Sequence, residues 1–307
     1  MAFVRVTGHA SLKSGPPKPS LQLATTLNTY CDLHRYSVPM TDAPRGTVAG
    51  TPTTIKLLRA NNANQMTLTG TNTYALSGNG GESWTIVDPG PALPEHLDAI
   101  TSLGQIDLVL ITHRHIDHTE AIDELHTRTG APVRAWLNEF CRWAETLTDG
   151  EVIETSGTTI KAIHTPGHTG DSVCFIVEDG DRNHARVLTG DTILGQGTTI
   201  LDYPDGTLVQ YLKSLDRLGS FPNAKLLPGH GPAGAKLGDV VRFYQDHRAE
   251  RLAQITATLE RLGVDATDDR ALDLVTGVVY KDTPENLKGA ARKSVDAQLH
   301  YLTQSAR

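Results

Sequence analysis

Four side chains able to ligate a metal fall within six consecutive positions, His113-Arg114-His115-Ile116-Asp117-His118, directly after the largely apolar run Asp107-Leu108-Val109-Leu110-Ile111-Thr112. Such a run reads as a buried strand, so the cluster sits where a strand ends and the chain turns. In extended chain, residues two apart point the same way, which lets His113 and His115 grip one cation from one side. Where the chain then enters a helix, Asp117 and His118 can swing toward a second cation. The plain alternative is a solvated patch of loop histidines. It loses weight because three further candidates follow β-type runs downstream: His168 in Thr165-Pro166-Gly167-His168, Asp191 in Thr189-Gly190-Asp191-Thr192, and His230 in Pro228-Gly229-His230-Gly231. Each is flanked by glycine, which lets the backbone bring a ligand close to an ion. Singly each is an ordinary turn residue; together they complete two three-ligand sites and a shared carboxylate. Imidazole and carboxylate without thiolate favour two Zn2+, with Mn2+ or Fe2+ as alternatives.

Around this cluster, the 307-residue chain alternates β-type runs with helical ones. Strands are predicted over 54–59, 73–76, 84–87, 106–112, 132–136, 159–164, 172–178, 185–189 and 225–227, and helices over 94–102, 118–128 and 207–218. Beyond residue 238 the pattern is helical, at 240–262, 269–280 and 283–304. The first 45 residues, with Gly15-Pro16-Pro17 and no sustained period, read as a disordered leader, and Met40 is a candidate start. This gives a leader at 1–45, an α/β domain at 46–238 and a helical domain at 239–307. No stretch reaches the roughly 18 apolar residues of a membrane span, and Cys31, Cys141 and Cys174 show no disulfide spacing. A cytoplasmic protein without a membrane partner is the expectation.

The set His113, His115, Asp117, His118, His168, Asp191 and His230 resembles the full ligand signature of the metallo-β-lactamase superfamily over about residues 54–233. That resemblance implies a four-layer αββα sandwich. It implies that His113, His115 and His168 hold the first metal, that Asp117, His118 and His230 hold the second, and that Asp191 bridges. Residues Thr69–Tyr74, Gly195–Thr199 and Tyr280-Lys-Asp-Thr-Pro-Glu-Asn-Leu287 are similar to the β-lactamase-like-protein-2 branch, which adds a C-terminal helical, winged-helix-like domain and includes a single-strand endoribonuclease. Related branches carry glyoxalase-II-type and polyketide thioesterases. The bridging Asp191 and the lack of an export signal set the chain apart from the antibiotic-degrading branches.

Two cations about 3.5–4 Å apart would supply a bridging hydroxide at neutral pH, with Asp117 as the catalytic proton relay. Asp88, at a strand end before Pro89, is expected to support the metal loop, with a simple turn role of equal weight. Thr71 and Asn72 are expected either to line the pocket or to form a local turn. His164 reads as a buried or supporting histidine, and Cys174 as core. Asp171-Ser172 lacks a base spaced to activate the serine.

Two substrate classes compete. Single-stranded RNA is favoured by the branch resemblance, and a small thioester or ester is the alternative; a homodimer is compatible with either. Net charge is +3 over residues 1–50, −10 over 51–241 and 0 over 242–307, so any RNA phosphates held away from the metals would fall to the tail. Its cations include Arg248, Arg251, Arg261, Lys281, Lys288, Arg292 and Lys293, and of these Lys288, Arg292 and Lys293 are the expected RNA contacts.

Overall fold

Trp84 and Ile86 turn their side chains to one face of their strand, while Val87 turns to the other, and this period of two splits the molecule into layers. The computed structural model describes residues 52–180 and 184–305; the expected leader and Met40 lie outside them. The first sheet has the order β1-β2-β3-β4-β5, formed by Thr54–Arg59, Asn72–Ser77, Ser83–Val87, Gln105–Leu110 and Val133–Arg134. The second has the order β10-β9-β8-β7-β6, from Lys225–Pro228, Arg186–Gly190, Val173–Val177, Thr158–His164 and Val152–Thr155. Leu76, Leu110, Phe175 and Leu188 fill the space between the sheets. Each such side chain removes roughly 1.5–3 kcal/mol worth of apolar surface from water.

The outer face of the first sheet packs Ile86 and Val109 against Leu97 and Ile100 of α1 (Pro94–Thr101) and Leu125 of α3 (Ile122–Thr129). On the outer face of the second sheet, Cys174, Ile176 and Val187 meet Tyr211, Leu215 and Leu218 of α4 (Leu208–Gly219). The result is the expected αββα sandwich. Pro94 lies in the first turn of α1, and Thr207 with Gln210 closes a capping box on α4.

Strand direction gathers the chemistry at one edge. β3 and β4 run parallel, as do β9 and β10, and β7 points with β9 because both are antiparallel to β8. The C-terminal ends of five strands therefore lead into Asp88, His113, His168, Asp191 and His230, while β2 enters from the same edge at Asn72.

Beyond the sandwich come α5 (Leu237–Leu262), α6 (Ala271–Val279) and α7 (Lys288–Ser305), with a short α2 (Ile116–Thr119) inside the metal loop. At 1.5 Å per residue, the 26-residue α5 is about 39 Å long. Its first half packs Leu237, Val241 and Tyr244 on the sandwich, and its second half joins Ile255 and Leu259 to Val275, Val279, Val295 and Leu299 of the other two helices. A boundary at 238 thus meets one continuous helix rather than a linker. Residues 239–305 contain no strand among those described, so the winged-helix-like expectation finds helices but no wing.

Besides shifts of a few residues at element ends, three elements differ from the sequence reading. The helix expected over 118–128 is two pieces, α2 and α3, separated by Glu120-Ala121. The helix expected from 283 begins at Lys288, after a short 3₁₀ turn at Glu285–Leu287 that follows Pro284. Strand β6 was not predicted at all. It is a four-residue edge strand held only by β7 and alternating between exposed and buried positions, too short for its period to show.

Candidate metal centre

The seven predicted ligands converge. His115 Nδ1 lies 3.0 Å from both His113 Nε2 and His168 Nε2. His118 Nε2 and His230 Nε2 are 3.2 Å apart, and Asp117 Oδ2 is 3.1 Å from His230 Nε2 and 3.5 Å from His118 Nε2. Asp191 stands between the two groups, with Oδ2 at 3.3 Å from His230 Nε2 and 3.8 Å from His168 Nε2, and Oδ1 at 3.6 Å from His118 Nε2.

Whether these nitrogens can take a metal depends on where their protons are. His118 Nδ1 faces Asp88 Oδ2 at 2.8 Å, an acceptor, so the proton sits on Nδ1 and Nε2 is free. Thr112 Oγ1 gives its single hydrogen to Asp88 Oδ2 at 2.7 Å, and it therefore accepts from His113 Nδ1 at 3.0 Å. His168 Nδ1 donates to the Ile200 carbonyl at 2.6 Å, and His230 Nδ1 to the Gly70 carbonyl at 3.3 Å. With a cation taking the place of any Nε2 proton, these four imidazoles would turn Nε2 lone pairs inward. His115 presents Nδ1 instead, its Nε2 being 3.9 Å from Asp202 Oδ2. Ligands at zinc–nitrogen distances of 2.0–2.1 Å in a tetrahedron lie about 3.3 Å apart, close to the spacing seen. Asp191 Oδ1 is buried with no hydrogen-bond partner, and a Cβ on Gly229 would come within 2.5 Å of that oxygen and 2.8 Å of His118 Cε1. Glycine is thus required before His230 for steric reasons, and the donor set fits two divalent cations.

The protein's own electrostatics differ between the two groups. Burial, with neighbouring imidazoles, pushes His113 well below the ordinary histidine range and His168 down to about 4. Burial lowers His230 too, but there Asp191 and Asp117 outweigh it and hold the imidazolium up to about 10. Burial likewise opposes ionisation of Asp117, yet the bond from His230 and the charge of His118 hold its carboxyl down to about 2.

Of the supporting residues, Asp88 does more than turn the chain. At φ 54° it aims Oδ1 at the Thr112 amide, 2.7 Å away, and Oδ2 at both the Thr112 hydroxyl and His118. Thr71 Oγ1 donates to Asp117 Oδ2 at 3.1 Å. Asn72 is buried and donates from Nδ2 to the Pro228 and Gly231 carbonyls, both at 2.9 Å, which clamps the loop carrying His230. It braces the site rather than lining it. His164 stacks on Trp136 with ring centroids 3.7 Å apart and bonds the Gly170 carbonyl at 2.8 Å, so its contacts lead away from the ligands. Ser172 Oγ is taken up by Thr169 Oγ1 at 2.8 Å, and Cys174 is buried with its thiol pushed up to about 11 by that burial.

The tail cations are placed unlike the expectation. Lys288 pairs with Glu285 at 2.6 Å, Arg292 pairs with Asp273, and Lys293 pairs with Asp202 at 2.6 Å. Asp202 also receives Arg114, so a helix of the tail is tied to the loop carrying His115. Arg248 and Arg251 instead turn inward. With Met66, Leu68 and Tyr280 they line a cavity on which His168 and Asp191 open. Asp202, Arg114 and the inward turn of the two arginines escaped sequence reasoning, because nothing local in their sequence distinguishes them from surface charges.

The sequence profile of the metallo-beta-lactamase superfamily matches residues 66–230. The lactamase-like protein aptB of Emericella nidulans is 33% identical over 205 residues, 65% of this chain and 63% of that protein, so the match spans less than two thirds of that relative. The beta-lactamase-like protein 2 homolog of Drosophila melanogaster is 29% identical over 283 residues, covering 84% of this chain and 90% of that one. An atrochrysone carboxyl ACP thioesterase of Aspergillus chevalieri is 32% identical over 219 residues, 68% of this chain and 66% of its own. Among solved structures, a beta-lactamase domain protein from Burkholderia ambifaria superposes with a TM-score of 0.69 at 18% identity, over 85% of this chain and 90% of that one, a likeness of fold.

Proposed function

The chain belongs to the metallo-β-lactamase superfamily, and from that premise we propose a dinuclear metal-dependent hydrolase that cleaves a thioester or ester seated in the cavity over the centre. The observation that carries the substrate class is the contrast between that cavity and the tail surface. The cavity wall is largely apolar, through Met66, Leu68, Leu194 and Ile200, whereas the three surface cations expected to hold RNA are each paired with a carboxylate. A relative named as an ACP thioesterase supports the same class.

Zinc is the cation we assign to both positions. His113, His115 and His168 would hold one ion, Asp117, His118 and His230 the other, and Asp191 both. Two such ions supply an activated water at neutral pH and polarise the bond to be cut. The chain's own residues do the rest. Asp88, Thr112 and the Ile200 and Gly70 carbonyls fix the imidazole tautomers before substrate arrives. Asp117, ionised and steadied by the Thr71 hydroxyl, accepts the proton from the attacking water and returns it to the leaving group. The apolar wall excludes bulk water from the acyl portion.

Single-stranded RNA is the second reading, favoured by the similarity to the beta-lactamase-like protein 2 homolog over most of both chains and by the Tyr280–Leu287 motif. One experiment separates the two: zinc-loaded protein is given a panel of acyl thioesters and, in parallel, end-labelled single-stranded RNA. Thioester hydrolysis abolished by chelation and restored by zinc is the expected result. RNA cleavage with no turnover of any thioester would replace the first reading with the second.

A further inference from the structure

Guanidinium groups are rarely left buried without an anion, since removal from water is unfavourable unless a counter-charge and hydrogen bonds replace the hydration. Arg248 and Arg251 are 4% and 8% exposed, and neither has a carboxylate partner among the described residues. They stand three apart on α5, one turn of helix, and so face the same way. Arg248 spends one Nη2 bond on the Thr199 carbonyl and lies against the Tyr211 ring at 5.0 Å, while its buried Nε has no partner. Arg251 donates to Gln254 Oε1 and lies 5.5 Å from the centre of the Tyr280 ring. Beside them His247 keeps a buried, unpartnered Nδ1, and burial followed by the two arginines pushes its pKa down to about 4. The neutral histidine therefore adds no charge beside the two guanidinium groups.

All three residues line the same cavity as His168 and Asp191. The lining of that cavity thus combines metal ligands, two guanidinium groups with donors to spare, and apolar side chains such as Met66, Leu68 and Leu194. We propose that Arg248 and Arg251 form an anion subsite which holds a carboxylate or phosphate carried by the substrate at a distance from its scissile bond. The preferred substrate is then an apolar-bodied organic anion rather than a neutral ester. Planar guanidinium forks match either anion through paired hydrogen bonds, and fixing that end of the molecule orients the other end at the metals. This deepens the hydrolase reading and rests on the metal centre being the reacting end of the cavity.

The test uses binding rather than turnover, so that its failure is separate from failure of the thioester assay. α,ω-Dicarboxylates of three to ten carbons, and matched monocarboxylates with methyl in place of the far carboxylate, are titrated calorimetrically into zinc-loaded protein. Carboxylate at the metals is common to both series; only the far group differs. We expect a dicarboxylate of suitable length to bind at least tenfold tighter than its monocarboxylate, and Arg251→Met to remove that advantage. Arg251→Lys, which keeps the charge but not the fork, should keep part of it. A parallel series with phosphate at the far end shows which anion is preferred. Equal affinity of the two series at every length in the parent overturns the subsite. So does an advantage that survives in Arg251→Met whose melting temperature and zinc content match the parent. Because Arg248 also holds the Thr199 carbonyl, Arg251 carries the decisive variant.

Discussion

The two walls of the central cavity treat their polar atoms in opposite ways. On the sandwich side, the outward nitrogens of His113, His118, His168 and His230 each end on an oxygen of the protein, and the inward nitrogens are left for ions. On the helical side, Arg248 Nε and His247 Nδ1 end on nothing. The first pattern is that of a site whose geometry is finished before anything binds; the second is that of a surface whose bonds are completed by a ligand. A third pattern lies on the outside of the same helices, where Lys288, Arg292 and Lys293 find carboxylates in positions open to water. Counting basic residues along the tail cannot tell these apart, although their energetics differ: an exposed pair contributes about 0–1 kcal/mol, whereas a buried unpaired charge must be answered.

The comparison breaks most readily on the sandwich side. Asp191→Asn takes the shared charge from between the two ligand groups with little change of shape. We expect it to lower hydrolysis by at least about 100-fold, several kcal/mol of transition-state stabilisation, and metal content to fall below two equivalents by elemental analysis. Full activity with two equivalents retained would remove the bridging assignment. Next in size is Asp88→Asn, which keeps the fold of the strand end but weakens the acceptor for His118 and Thr112. A loss of about 10–100-fold in metal affinity is expected, measured by competition with a chromogenic chelator. Affinity equal to the parent would reduce Asp88 to a turn former.

The outer face of the tail should respond least. Replacing Lys288, Arg292 and Lys293 together with Ala is expected to cost no more than about 1 kcal/mol per pair in urea melts and to leave thioester turnover as it was. A raised KM for RNA together with a shallower salt dependence would instead return these residues to substrate binding and the RNA reading to first place. The smallest expected effect is one of pH. A histidine at its ordinary value would gain charge below about 6.5 and strengthen anion binding there. His247, at about 4, stays neutral, so the dicarboxylate's advantage over the monocarboxylate, corrected for protonation of the ligand's own far carboxylate, should stay flat from pH 8 to 5.5. An advantage that climbs through pH 6.5 would mean that His247 is more exposed than the helix packing shows.

The legible part of this protein was the part written locally. The apolar run before His113, the Thr-Pro-Gly-His and Pro-Gly-His turns, and the alternation at the start of Thr158–His164 state element, ligand and turn within a few residues. Strand β6 was illegible because four residues at a sheet edge owe their conformation to β7 rather than to their own pattern. His164, four positions before a ligand, was read as a buried or supporting histidine, and which partners it has, Trp136 and the Gly170 carbonyl, is set by the fold.

The sequence by itself determined which atoms can bind metal and that they emerge from strand ends, since side-chain chemistry and backbone period are properties of short segments. Only the tertiary structure decided what each charge faces. Arg248 and Arg292 are the same side chain on neighbouring helices, and one is enclosed beside Tyr211 while the other meets Asp273 in solvent. That difference arises from how α5 and α7 pack on the sandwich and on each other, through contacts between residues tens to hundreds of positions apart. Electrostatic energy depends on dielectric surroundings and on distance, and neither is a local property of the chain.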